Sequence, residues 1–194
     1  MATPEDILAF WLDETGPEGW YKQDAALDQT IRERFEETWH GAMEGRFALW
    51  LTYPTGTLAY IILTDQFSRN MFRGTREAFA SDRVALAAAK QAIHRGWDLR
   101  IDEPARQFFY MPLTHSENLC DQDRCVRLMK ERLPSMKGNL LHARAHREVI
   151  RQFGRFPFRN EALGRSFSAP ERRFLDEDGG YGGVVRALDV KQAA

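Results

Sequence analysis

His142-Ala-Arg-Ala-His146-Arg-Glu-Val-Ile-Arg-Gln-Phe153-Gly154-Arg155-Phe156-Pro157-Phe158-Arg159-Asn160, with Leu163-Gly164-Arg165 close behind, reads as a helix that stops. At about 100° per residue, His142, His146, Val149, Ile150 and Phe153 fall within roughly 60° of one common direction, while Arg144, Arg147, Glu148 and Arg151 point the other way. Both histidines are therefore expected to face inward. Gly154 follows the last apolar residue as a left-handed terminator does, and Pro157 bars the helix from resuming. Beyond the stop, Arg155, Arg159, Asn160 and Arg165 alternate with Phe156, Phe158 and Phe167, so guanidinium groups must lie among aromatic rings, where they need partners.

Two further stretches share this composition. Asp65-Gln66-Phe67-Ser68-Arg69-Asn70-Met71-Phe72-Arg73-Gly74 also runs a helix into an Arg-Asn pair beside phenylalanines. Leu58, Ile61 and Ile62 form an apolar stripe that Asp65 continues one turn later, so Asp65 is expected to be buried, with Arg69 a turn beyond. In Phe108-Phe-Tyr110-Met-Pro-Leu-Thr-His115-Ser-Glu117, the residues His115 and Glu117 fall at a helix junction, where side chains can turn into a cleft.

Working outward, the whole chain reads as helices. Thr3 caps a first one with Pro4 inside it and Asp6 at the capping-box position, before Gly16, Pro17 and Gly19 break it. Asp24 caps a long second helix ended by Gly45, and a third spans about 57–69. Residues 77–95 are Ala-rich and amphipathic. Asp102-Glu-Pro opens another helix, Ser116 or Asn118 caps the next, and Pro134 precedes the helix at 136–153. Ser168 with Glu171 starts a last short one. No stretch alternates apolar and polar between hairpin turns, so the expected class is all-α, with short connections making antiparallel helix pairs in a closed bundle or a stacked superhelix. The expected organisation is one domain over 1–176 and a mobile Gly-rich tail over 177–194.

Composition narrows the function. The chain has 194 residues, 27 basic against 28 acidic, and a net charge of -1, which gives no reason to expect nucleic acid or an anionic membrane as partner. Locally the balance tips, because 142–165 carries six Arg and two Glu, a net of +4. The start lacks a basic region and a long apolar run, and the strongest apolar run, 58–63, is far too short to span a bilayer. Cytoplasm is the expected compartment. Cys120 and Cys125, five apart within a helix, have neither zinc-pair nor redox-dithiol spacing and are expected to be reduced.

The motifs 65–70, 109–117, 146–160 and 163–165, in this order, resemble the family called domain of unknown function 924, over nearly the whole chain. The resemblance implies an all-helical fold similar to tetratricopeptide-repeat proteins and no established activity. Two positions depart from the family pattern: Ser68, where the family often has Pro, and Phe158, where it often has His. A mechanism needing a histidine at 158 is unavailable to this chain.

Three functional readings follow. The first is a buried polar pocket of His, Arg, Asp and Glu that binds a small anionic molecule through Asp65, Gln66, Arg69, Asn70, Tyr110, Arg155, Arg159, Asn160 and Arg165. Its bland counterpart is an internal network, Asp65 with Arg159 or Arg69 and Glu117 with Arg155, that stitches helix ends together. On that basis replacement of Arg159 by Met is expected to destabilise severely and replacement of Arg155 mildly. The second is an enzyme in which His146 and His115 move protons with Glu117 as orienting group. Whether the protein is an enzyme stays open. The third is a protein-interaction scaffold, which fold alone does not establish. His142 and His146 have the spacing of two metal ligands, but no Glu follows the first His and no acidic cluster accompanies them, so no metal and no cofactor is expected.

Overall fold

The structure, a computed structural model, describes residues 1–193, with side chains through 190; the last residue of the expected tail, 194, lies outside the described residues. Among the described residues every regular element is helical and there is no strand. The chain divides into two compact units, Met1–Pro112 and Leu113–Ala194.

In the first unit the helix α1, Pro4–Leu8, is capped by Thr3 and Asp6 in the expected reciprocal box, and it continues in a wider π-helical form through Ala9–Thr15. Asp24 caps α2, Ala25–Met43, by accepting from the N–H groups of Ala26 and Leu27. The third helix, α3, Pro54–Ile61, begins three residues before the expected start because Pro54 occupies its first position, where a missing N–H costs nothing. It runs on through a π-helical segment, Ile62–Phe67, into the short turn Ser68–Met71. The expected Ala-rich helix is broken. A 3-10 turn, Arg76–Phe79, precedes α4, Asp82–His94, because Ser81 between them is buried and donates its hydroxyl to the Thr64 carbonyl while accepting from Trp39 Nε1. The core is aromatic. Phe67 sits 4.8 Å from Phe35, 5.3 Å from Trp11 and 5.8 Å from Phe10, ring centre to ring centre.

In the second unit Asn118 caps α5, Leu119–Arg132, and a short connection leads into α6, Lys137–Phe153, which packs on it as a helical hairpin. Gly154 ends α6 at φ 69°, as its position in the sequence requires. Ser168 and Glu171 form the capping box of α7, Ala169–Asp176. The Gly-rich stretch read as a mobile tail is a helix, α8, Gly180–Ala193, and it packs along α6. Val149, Ile150, Phe156 and Phe174 are the centre of this unit, with Tyr181 and Val184 of α8 against them. The apolar residues of α8 therefore have a surface to bury, which propensity alone does not reveal.

Candidate functional site

The residues singled out in the sequence fall in both units, and each set has its own local structure. In the first unit Asp65 is fully buried, as its place on the apolar stripe predicts. Gln66 donates to Asp65 Oδ2 at 2.6 Å, and Arg69 reaches Asp65 Oδ1 at 3.3 Å and its carbonyl at 2.8 Å while standing 2.9 Å from Asp82. Asn70 turns to α2, donating to Asp28 at 2.7 Å beside the two hydrogen bonds from Arg73. Burial works against ionisation of Asp28, but the hydrogen bonds from Arg73 and Asn70 outweigh it and hold the carboxyl below its usual range. Ser68 donates to the Thr64 carbonyl at 3.0 Å, one turn back within the run of irregular helix. Tyr110 is fully buried and donates to Asp98 at 2.6 Å.

The second unit gathers His115, Glu117, His146, Arg155, Arg159, Asn160 and Arg165. Phe156 is the hub, because the helix stop at Gly154 delivers it into the core with no exposed surface. Both of its backbone polar groups are gripped: Glu117 Oε1 accepts from its N–H at 2.9 Å, and Arg165 donates to its carbonyl at 3.1 Å. Arg165 and Glu117 are themselves joined by two parallel hydrogen bonds of 2.8 and 3.0 Å. Burial alone would raise the Glu117 carboxyl, but Arg165, the Phe156 N–H and the charge of Arg159 outweigh it and hold the group below its usual range. Glu117 is thus an ionised strut for Phe156.

A second clamp lies behind it. Arg155 donates to Glu171 through Nε at 2.6 Å and Nη2 at 2.9 Å, and Glu171 also accepts from the Ser168 N–H at 2.7 Å and from Asn160 Nδ2 at 3.3 Å. Glu171 is only 2 % exposed, and the Arg155 hydrogen bonds hold its carboxyl far below the usual range. The Asp65–Arg69 pair is as expected, whereas the expected Glu117–Arg155 pair is replaced: Glu117 takes Arg165, and Arg155 takes Glu171. Glu171 reads in the sequence as a capping residue, and nothing there says that it also binds an arginine thirteen positions before the cap.

Around the Phe156 ring stand Arg159, its guanidinium carbon 4.5 Å from the ring centre, Phe158, stacked at 5.2 Å, and His146, edge-on at 5.5 Å. His115 lies 6.5 Å from His146, ring to ring. Of the two histidines expected inward, His146 is half-buried, while His142 is exposed and stacks on Tyr181. Phe158 is 44 % exposed and meets the Tyr181 ring edge at 6.3 Å.

Tyr181 is the member that sequence reading missed. Its hydroxyl stands 2.8 Å from His142 Nδ1 and 2.9 Å from His146 Nδ1. His146 Nδ1 also lies 2.9 Å from the His142 carbonyl, which can only accept, so the tautomer that satisfies this contact carries the His146 proton on Nδ1; the Tyr181 hydroxyl also donates to that carbonyl, at 3.4 Å. That leaves His146 Nε2 as an acceptor, with no hydrogen bond to it among the described residues. Burial pushes the His146 imidazole down to about 3; the His142 carbonyl opposes this, and the charges of His115, Arg159 and His142 add to it. A lone tyrosine inside Gly179-Gly-Tyr181-Gly-Gly183 was the available signal, since glycines let a backbone approach closely. Among the described residues no three of His, Cys, Asp and Glu gather closely enough to hold a metal ion, and no helix is long and apolar enough to cross a membrane.

A family model described as bacterial protein of unknown function, DUF924, matches residues 7–179. The solved structure of ATU0120, a protein of unknown function from Agrobacterium tumefaciens, is 38% identical and superposes with a TM-score of 0.84 over 90% of this chain and 97% of that one. Among curated proteins none matches the chain.

Proposed function

The chain belongs to the DUF924 family of bacterial proteins of unknown function, and we propose that its second unit binds a small anionic molecule carrying an O–H or N–H donor at the cluster around Phe156. One observation supports this above the others: His146 is held neutral, with its Nε2 lone pair unused, next to the guanidinium that stacks on the same Phe156 ring. Arg159 is the one guanidinium named as acting on His146, and it also acts on the ionised Glu117 on the far side of Phe156, so in this reading an anion would share Arg159 with the cluster rather than meet an isolated cation. A hydrogen phosphate or a hydroxycarboxylate has the matching pair of features, negative oxygens and a proton to give.

Catalysis through Glu117 fits the geometry less well. Both of its oxygens are committed to Arg165 and the Phe156 N–H, and its low proton affinity leaves it no proton to deliver. His146, pushed down to about 3, is a weak base and a good acceptor. Arg155 and Arg165, expected as ligand groups, act in this reading as the supports that fix Phe156 and the loop after Gly154.

The test is a titration with phosphate, citrate and malate at constant ionic strength, read by thermal unfolding and by the imidazole nitrogen resonances of His146. The expected result is a saturable rise of Tm with at least one of them and a shift confined to Nε2 of His146. A Tm that follows ionic strength alone, with unmoved His146 resonances, would falsify the proposal.

A further inference from the structure

Helix α8 is lightly held for an element that supplies part of a site. Beyond Gly180 every described side chain of it, 181–190, is half-buried or exposed, whereas α6 beneath it buries Ala143, Ala145, Val149 and Ile150. Its first residues, Gly180-Tyr-Gly-Gly183, have poor helix propensity. It joins α7 through Gly179 and Gly180, at φ 73° and 55°, two successive left-handed positions that glycine takes up freely. The stretch that the family model matches ends at residue 179, one before α8 begins. An element with so little buried surface opens locally at a smaller cost than the core beneath it.

Tyr181 is where α8 meets the site. Its hydroxyl reaches Nδ1 of His142 at 2.8 Å and Nδ1 of His146 at 2.9 Å. Its ring lies 4.6 Å from the His146 ring and 6.3 Å from Phe158, which stacks in turn on Phe156, the ring that carries Arg159. Burial pushes the phenol up, so the hydroxyl stays protonated and brings no negative charge toward the arginine. Docked, Tyr181 holds the His146 ring in place and leaves Nε2 open. An anion that engages Nε2 and Arg159 in that arrangement prefers the docked helix, and by linkage it holds the helix down.

We propose that α8 docks and releases as a unit about Gly179 and Gly180, that Tyr181 is its latch, and that an anion bound beside His146 keeps it docked. The last clause rests on the anion site proposed above; the latch does not.

Hydrogen exchange of the full-length protein, with and without phosphate, citrate or malate at constant ionic strength, tests both. Amides of 184–190 should exchange at least about tenfold faster than those of Val149 and Ile150. Tyr181→Phe, which keeps the ring and removes the hydroxyl, should speed 184–190 by a further factor of about three to ten and leave 143–150 unmoved. In the unaltered protein a saturating anion should slow exchange of 184–190 severalfold, and Tyr181→Phe should weaken that anion by about threefold or more. The latch is overturned if 184–190 exchange together with 149 and 150, or if Tyr181→Phe leaves their rate unchanged or speeds 143–150 equally. The coupling is overturned if an anion that saturates the His146 resonances leaves exchange of 184–190 unmoved. If none of the three anions binds, the reading of the site falls and the coupling with it, while the exchange rates without anion still decide the latch.

Discussion

Glu171 accepts four hydrogen bonds in a site 2 % exposed, and two of them come from one guanidinium. Replacing Arg155 by Met leaves that carboxylate without its counter-charge, although the guanidinium is about one-third exposed and water can take part of its place. The sequence reading, with Glu171 assigned only to a cap, expects a mild effect; the pairing reverses that expectation. Arg155→Met should lower Tm by more than about 3 °C, and Arg155→Met with Glu171→Leu should recover part of the loss. A fall of less than about 3 °C for the single variant would show that the pair is not holding this loop. His146 gives a pH signature. The fold accepts only its neutral form down to about pH 3, whereas the unfolded chain takes up the proton near 6.5, so the stability it contributes is present above 6.5 and declines as pH falls. Denaturant unfolding should therefore weaken by about 1 to 2 kcal/mol between pH 6.5 and 5, and His146→Asn should flatten most of that arm. The arm below 4.5, set by Glu171 and Glu117 with their lowered values, should remain in that variant.

Individual elements end where their local chemistry says they must. Gly154 sits at φ 69° with nothing within 4 Å of an added Cβ, so Gly154→Ala isolates the backbone term. It should cost about 1 to 2 kcal/mol, measured by equilibrium unfolding, because only the left-handed conformation is penalised. Ser168→Ala should cost about 1 kcal/mol, from loss of the acceptor for the Glu171 N–H. The π-helical segments Ala9–Thr15 and Ile62–Phe67 have no such local signature. Their extra residue per turn shifts the face that a side chain presents, and at 62–67 it is the core rings around Phe67 and the buried Asp65 that set where that shift falls.

At the scale of the molecule the two units carry different natural probes. All five tryptophans, at 11, 20, 39, 50 and 97, lie in the first unit, and both cysteines lie in the second. Cys120 is exposed, while Cys125 is fully buried, hydrogen-bonded to Thr114 at 3.0 Å and pushed by burial up to about 12. A thiol reagent should therefore modify one cysteine at once and the second only when the unit opens. Tryptophan emission reports the first unit in the same sample. Immediate reaction of two thiols in the native protein would contradict the packing described for α5.

The all-helical class, the Thr3, Asp24, Asn118 and Ser168 caps, the Gly154 stop and the burial of Asp65 follow from the chain alone, because each depends on residues within about one or two helical turns of one another. The pairing of arginines with acids does not. Arg155 could reach several carboxylates in principle, and only the meeting of the loop after Gly154 with the first turn of α7 selects Glu171, as the placing of Glu117 beside Phe156 selects Arg165. Tyr181 is the clearest case. A helix whose first residues are Gly-Tyr-Gly-Gly has poor intrinsic propensity, and it forms here against α6, where burying Tyr181 and Val184 offsets the cost that local sequence cannot.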